Sequence, residues 1–371
     1  MLDCKKAYEL ICEAINRNDK SNEFKTIFGQ NKTDKTDIND DNIKTKEVKQ
    51  EDNYVEVKRF AENFYKAPIV NYKGYLKGAT QEDKNRYSEV ISSILLSKDL
   101  LKSWKELAPV RSNHFDTKHA SSESVDMEQL QGTNRKEEIL AKLLFSQREV
   151  SGLGHIFDYQ TPLKKTKNDS YGKIDLLGYN KDDKCYSIIE LKYRPSGSEE
   201  TLLRCILEAY TYYKLLDLKQ IKSSVCHAGI KVLKEELPKY KHTDKAELVI
   251  LFDEKSCTKV DGGEKTNLMF RIYSKTDDKQ TDDKPNYPSK TVVTQQYKEC
   301  QELIDPSKRK KLRALCNAIL KQEPELTQIR FAVLRVDSNS KKNHLENITG
   351  WDAKLDRFYR AKTLLTISSK G

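Results

Sequence analysis

The chain has 371 residues, 37% of them hydrophobic and 33% charged, with a net charge of +10 and a pI near 8.9. That length suits two or three domains, or one large domain carrying insertions, and no stretch approaches the roughly 18–20 consecutive apolar residues that a membrane span needs. Met1-Leu2-Asp3-Cys4-Lys5-Lys6 leads into no apolar segment of the kind a secretory signal carries. The positive excess suits a polyanionic partner and says nothing about the fold.

The eight cysteines are scattered and form no CxxC pair, and His114 and His119 stand five apart, off a common helix face. A zinc finger or ribbon needs closely spaced paired ligands. The cysteines therefore read as small buried hydrophobes in a reducing, cytoplasmic setting.

In chain order, residues 1–29 carry apolar positions at helical spacing (Ala7, Leu10, Ile11, Ala14, Ile15). Residues 31–53 hold only Ile38, Ile43 and Val48 as apolar positions and read as a flexible polar segment. From Tyr54 to about Leu107 the pattern is helical again, with Ile91, Ile94, Leu95, Leu100 and Leu101 as the buried stripe, and residues 109–126 are polar and irregular. Asn134 caps a helix bearing Ile139, Leu140, Leu143 and Leu144. Strand-like runs follow at His155–Leu163, Lys173–Tyr179 and Cys185–Tyr193. A Pro195-Ser196-Gly197-Ser198 loop leads into a helix from about Glu199 to Leu218, with Ser198 as its cap and Glu199 and Glu200 at the positive end of its dipole. Further strands are expected at Ala246–Phe252, Met269–Tyr273 and Ile329–Val336, a polar insert at 275–290, and a helix over Pro306–Lys321. The expected division is a mainly helical region 1–130, an α/β core 131–255 and an α+β extension 256–371.

The two strands around Asn180-Lys181-Asp182-Asp183-Lys184 are joined by turn residues and should form an antiparallel hairpin. A turn centred on Asp182-Asp183 pairs residues whose numbers sum to 365, which sets Asp175 opposite Glu190. Directly opposed side chains have Cβ atoms about 4.5–5.5 Å apart, and like charges there are destabilising. A hard divalent cation such as Mg²⁺, with Mn²⁺ as a substitute, removes that repulsion. Lys192 lies two residues beyond Glu190 and so shares its face, while Ile189 and Leu191 point into a core. An ammonium beside two metal-binding carboxylates suits metal-assisted phosphodiester hydrolysis. An acidic-x-basic triplet alone means nothing, being expected about ten times by chance among 57 acidic and 67 basic residues. The weight lies in its setting, Ser187-Ile188-Ile189-Glu190-Leu191-Lys192-Tyr193, an otherwise apolar strand. The bland alternative is a half-exposed hairpin with a Glu/Lys surface pair.

The order helix, strand, Gly-x-x-Asp strand, apolar-Glu-x-Lys strand, helix over roughly residues 134–255 resembles the PD-(D/E)xK nuclease superfamily. The resemblance implies a restriction-endonuclease-like core, a mixed central sheet flanked by helices, and a Mg²⁺-dependent nuclease acting on DNA in restriction, phage defence or repair. By the resemblance Asp175 and Glu190 bind the metal with the Leu191 carbonyl, and Lys192 orients the attacking water. Ile174 stands where the family name has Pro. An acidic residue on the first helix joins the site, and Glu137, which borders the Leu140/Leu144 stripe, is favoured over Glu138. On the second helix the family's Gln and Tyr one turn apart correspond to Glu208 and Tyr212, with Tyr210, Tyr212 and Tyr213 otherwise readable as packing residues.

Asp305-Pro306 reads as a helix start followed by Lys308, Arg309, Lys310, Lys311 and Arg313. Cations in a first turn oppose the helix dipole, which a nearby phosphate backbone would offset; a solvated basic face is the alternative. Lys308, Arg309, Lys311 and Arg313 are thus the candidate nucleic-acid contacts. Trp104 and Trp351 read as packing residues. A nucleic-acid-binding or assembly module without turnover, or a purely structural α/β protein, are the competing functions, and a homodimer is left open.

Overall fold

The computed structural model describes residues 60–76, 86–110, 135–163, 171–193, 198–219, 245–258, 290–337 and 358–369. The expected helix over 1–29, the polar segment 31–53, the cap Asn134, the strand Met269–Tyr273, His114, His119 and Trp351 lie outside these residues, as does nearly all of 109–126 and 275–290. The described elements begin with 3-10 turns at Phe64–Lys66 and Pro68–Asn71, helix α1 (Tyr87–Ser97) and a 3-10 segment at Leu100–Glu106. Then come α2 (Lys136–Gln147), β1 (Glu149–Val150), β2 (Gly154–Pro162), β3 (Lys173–Asn180), β4 (Cys185–Lys192) and α3 (Leu202–Leu215). The remainder is β5 (Ala246–Asp253), β6 (Lys255–Thr258), β7 (Lys290–Val293), α4 (Gln295–Ile304), α5 (Lys310–Gln322), β8 (Leu326–Asp337) and β9 (Phe358–Ser368).

Seven strands form one mixed sheet in the order β1-β2-β3-β4-β5-β8-β9, while β6 and β7 pair separately. β1 to β4 are joined antiparallel, β5 pairs in parallel with β4 and β8 in parallel with β5, and β9 closes the order antiparallel. The β3–β4 register is the one the turn chemistry implies, with Leu176 opposite Ile189 and Tyr179 opposite Tyr186. β4 and β5 are buried along their whole length, as strands covered on both faces must be. The sheet curls until its edges meet: Ser151 bridges to Arg360, and the Ala361 amide donates to the Ser151 carbonyl at 2.8 Å. The Gln147 side chain fastens the same seam, donating to Tyr359 O and accepting from Tyr359 N, both at 2.7 Å.

One face of the sheet packs on α2 through Leu140, Leu144, Ile156, Ile189, Leu191 and Val249. The other packs on α1, α3 and α5, where Ile188, Phe252 and Val333 meet Ile206, Tyr210, Leu315 and Ile91. α3 is buried nearly all round because it lies between the sheet and the Phe60–Val70 segment. Trp104 is a packing residue: its ring stacks on Tyr210 and its Nε1 donates to Thr211 Oγ1 at 2.9 Å. Cys185, Cys205, Cys300 and Cys316 are buried free thiols. No described helix is long and apolar enough to cross a membrane.

Several expectations are corrected. Residues 60–107 are not continuous helix: 60–63 are α-helical, Asp99 in the left-handed region (φ 55°) ends α1, and the turns at Phe64–Lys66, Pro68–Asn71 and Leu100–Glu106 are 3-10. Even so, Ile91, Ile94, Leu95, Leu100 and Leu101 are all buried. α3 starts at Leu202 rather than Glu199, because the Thr201 hydroxyl, not Ser198, accepts from the Arg204 amide at 3.2 Å. The expected helix over Pro306–Lys321 is shorter at its start: Asp305 caps the C-terminus of α4, and Arg309 (φ 48°) precedes α5. β9 escaped the sequence reading although Tyr359, Thr363, Thr366 and Ile367 favour strands. The segments 131–255 and 256–371 contribute to one sheet, because β5 and β8 are hydrogen-bonded neighbours.

Candidate active site

The β3–β4 ladder ends at Leu176 and Ile189, and the next residues, Asp175 and Glu190, open the candidate site. Asp175 does not face Glu190 across a regular rung. Its Oδ2 accepts from the Leu191 amide at 2.8 Å, so its side chain takes the place of a backbone partner. Its Oδ1 accepts from Gln160 Nε2 at 2.9 Å. Gln160 lies between the Tyr159–Leu176 and Thr161–Ile174 pairs of the β2–β3 ladder, opposite Asp175. It has a left-handed backbone (φ 48°), a conformation costing a non-glycine residue of order 1 kcal/mol and concentrated at functional sites. Nothing in the sequence around Gln160 marks it.

Lys192 is the centre of the cluster. Its ammonium lies 2.5 Å from Glu190 Oε1, 2.9 Å from Glu208 Oε2 and 2.9 Å from Glu200 Oε2. Strand alternation puts Glu190 and Lys192 on the α3 face, where Glu208 projects from the helix. Glu200 was expected only to favour the helix dipole; its place before the Thr201 cap instead turns it onto Lys192. Tyr212 O–H donates to Glu208 Oε1 at 3.0 Å, and Tyr65 O–H reaches the Tyr212 oxygen at 3.4 Å. Gly172 makes room for that hydroxyl, since a Cβ there would stand 2.5 Å from it.

Glu137 joins from α2, its Oε2 accepting from the Tyr193 amide at 2.8 Å, whereas Glu138 faces outward toward Arg135. The structure therefore brings together Asp175, Glu190, Lys192, Glu137, Glu208 and Tyr212. Asp175, Glu190 and Lys192 are each less than a tenth exposed. Burial, then neighbouring negative charge, raises the carboxyls of Asp175 and Glu190 well above their usual range. Burial raises Glu137 as well, against the pull of Lys192. Burial also acts upward on Glu208, but Lys192 and the Tyr212 hydrogen bond outweigh it and hold Glu208 low. Burial alone would lower Lys192; the surrounding carboxylates outweigh it and keep the ammonium charged.

Among the described residues no three His, Cys, Asp or Glu side chains stand together as a ready-made metal site. Asp175 and Glu190 nevertheless fit a hard divalent cation in donor chemistry. Glu190 Oε2 is buried with no hydrogen-bond partner among the described residues, an acceptor without a donor. Mg²⁺ characteristically takes one or two carboxylates and keeps waters or substrate phosphates for the rest.

The expected basic contacts separate. Arg309 is buried, pairs with Glu302 at 2.6 Å and reaches Ser88, and so is removed from any phosphate. Arg313 is half-buried and donates to the Leu303 carbonyl. Lys308, Lys310 and Lys311 are exposed. The start of α5 needs no phosphate, because the Glu89 carboxylate accepts from the Lys311 and Leu312 amides at 2.8 and 2.9 Å.

Comparison with protein-family models, curated proteins and solved structures finds no match to this chain.

Proposed function

We propose that the chain is a metal-dependent phosphodiesterase that hydrolyses nucleic acid, with DNA as the favoured polymer and a restriction-endonuclease-like core built from α2, β2–β5 and α3. The observation that carries this reading is the pair Asp175 and Glu190 at the end of the β3–β4 ladder, with the buried Glu190 Oε2 unpartnered and Lys192 beside it. Asp175 and Glu190 would hold Mg²⁺, which supplies Lewis-acid stabilisation of the phosphoryl oxygens and a more acidic water.

The chain's own residues supply the rest. Gln160 and the Leu191 amide fix the Asp175 carboxylate, so its orientation is set before any ligand arrives. Glu200 and Glu208 hold the Lys192 ammonium from the side away from the strand, and Tyr212 holds Glu208. A positioned ammonium, kept charged by the carboxylates around it, stabilises negative charge developing on an attacking water or a phosphoryl oxygen.

The test is degradation of plasmid, linear and single-stranded DNA and of RNA by the purified protein with and without Mg²⁺. Product that requires the metal and disappears in Glu190→Gln is expected; metal-independent or Glu190-independent product defeats the reading. One observation favours a second reading, a nucleic-acid-binding module without turnover: Lys192 already contacts three carboxylates and neutralises part of the cluster. Binding without product under every metal tested would select it.

A further inference from the structure

The parallel and antiparallel registers set residues of four strands in one row. Lys192 on β4 pairs with Phe252 on β5, Phe252 with Val333 on β8, and Val333 with Lys362 on β9. Residues paired in adjacent strands point to the same face, and Phe252 and Val333 both pack on the α3 side. Lys362 therefore shares the face and the level of Lys192, three strand spacings of about 4.8 Å away, on the order of 14 Å.

One step beyond that row, Arg335 on β8 stands directly opposite Arg360 on β9. Like charges opposed across a ladder are destabilising by a few tenths of a kcal/mol to about 1 kcal/mol. Glu254, at the end of β5, pairs with Arg335 at 2.7 Å and relieves part of this. Arg360 and Lys362 are exposed. The acidic groups of β5 and β8 at this end are Asp253, which is buried, Glu254 and Asp337. The seam to Ser151 fixes the backbone of Arg360, so this pair is presented on a rigid edge rather than on a loop.

We propose that Arg360 and Lys362, with Arg335 behind them, hold the phosphate backbone of the nucleic acid as it runs toward Asp175, Glu190 and Lys192. The inference rests on the phosphodiesterase reading and moves the expected contacts from the start of α5 to β9. A phosphate between Arg335 and Arg360 turns their repulsion into two attractions.

The experiment is binding of the full chain to a short labelled DNA duplex in EDTA across a salt series. Three proteins are compared: the parent, the double variant Arg360→Gln/Lys362→Gln, and a control, Lys310→Gln/Lys311→Gln, which removes the same charge from α5. Each phosphate neutralised contributes about −0.9 to the slope of log K against log salt. The β9 variant is expected to weaken binding and flatten the slope by about one to two units, with the control near the parent. Its KM for cleavage should rise while kcat holds. Equal slopes in all three proteins, equal flattening in the control, or no salt-dependent binding by the parent overturns the proposal. Failure of the phosphodiesterase reading registers separately, as absence of metal-dependent product from the parent.

Discussion

The Leu191 amide donates to the Asp175 carboxylate at 2.8 Å at the point where the β3–β4 ladder stops. One side chain thus satisfies a buried backbone donor and pins itself in place. It also opens the two strands by one rung and admits Lys192, Glu208 and Glu200 beside Glu190. The cluster is a consequence of a ladder ended early by a carboxylate.

If Asp175 and Glu190 hold a divalent cation, Mn²⁺ or Mg²⁺ stabilises the folded state by mass action, by about 2.7 kcal/mol at 100 times its Kd. Thermal melts should show a rise in Tm with metal for the parent and little or none for Asp175→Asn and Glu190→Gln. An equal rise in all three would place the ion elsewhere.

Lys192→Met is expected to abolish cleavage and also to weaken the fold. Removing one partner of a buried pair costs about 3–5 kcal/mol, because the remaining charge is left unpaired. The buried carboxyls of Asp175 and Glu190 already lie high, and loss of the ammonium raises them further. A carboxyl raised by folding contributes stability below its unfolded value, near pH 4, and loses it as pH rises through the folded value. The deficit of Lys192→Met, measured by urea midpoint, should therefore be smaller at pH 5 than at pH 8. A pH-independent deficit would argue against charge as its cause.

Asp253 ends β5 almost fully buried, and burial, with a smaller contribution from Glu137, pushes its carboxyl up to about 7. Its contribution is present below about pH 4 and is lost as pH rises through 7, on the order of 4 kcal/mol across that window. Asp253→Asn carries no such titration. Its urea midpoint should decline less than the parent's between pH 4 and pH 7; parallel declines would show that Asp253 titrates normally.

Arg309→Gln should cost about 3–5 kcal/mol, since it leaves the buried Glu299 without its cation and Glu302 with Arg86 alone. The salt dependence of DNA binding should not change. A stable variant with a flatter slope would return Arg309 to the nucleic-acid interface.

Much of the site was legible in local patterns. The Asn180–Lys184 turn determined the hairpin register and so brought Asp175 and Glu190 to one end of β3 and β4, but not the loss of the rung between them. Helical spacing separated Glu137 from Glu138, and strand alternation put Glu190 and Lys192 on one face. These are short-range consequences of backbone geometry, in which period and turn length decide direction. The tertiary structure decided what those directions meet. Arg309 looked like a phosphate ligand until Glu302 and Ser88, the latter far away in the chain, enclosed it. Glu200 looked like a dipole partner until Thr201 capped α3 and turned it onto Lys192. Gln160 and β9 enter the argument only through the ladders that place them beside Asp175 and at the closing seam. Charges choose their partners by proximity after packing, and packing brings together segments whose separation along the chain carries no periodic signal.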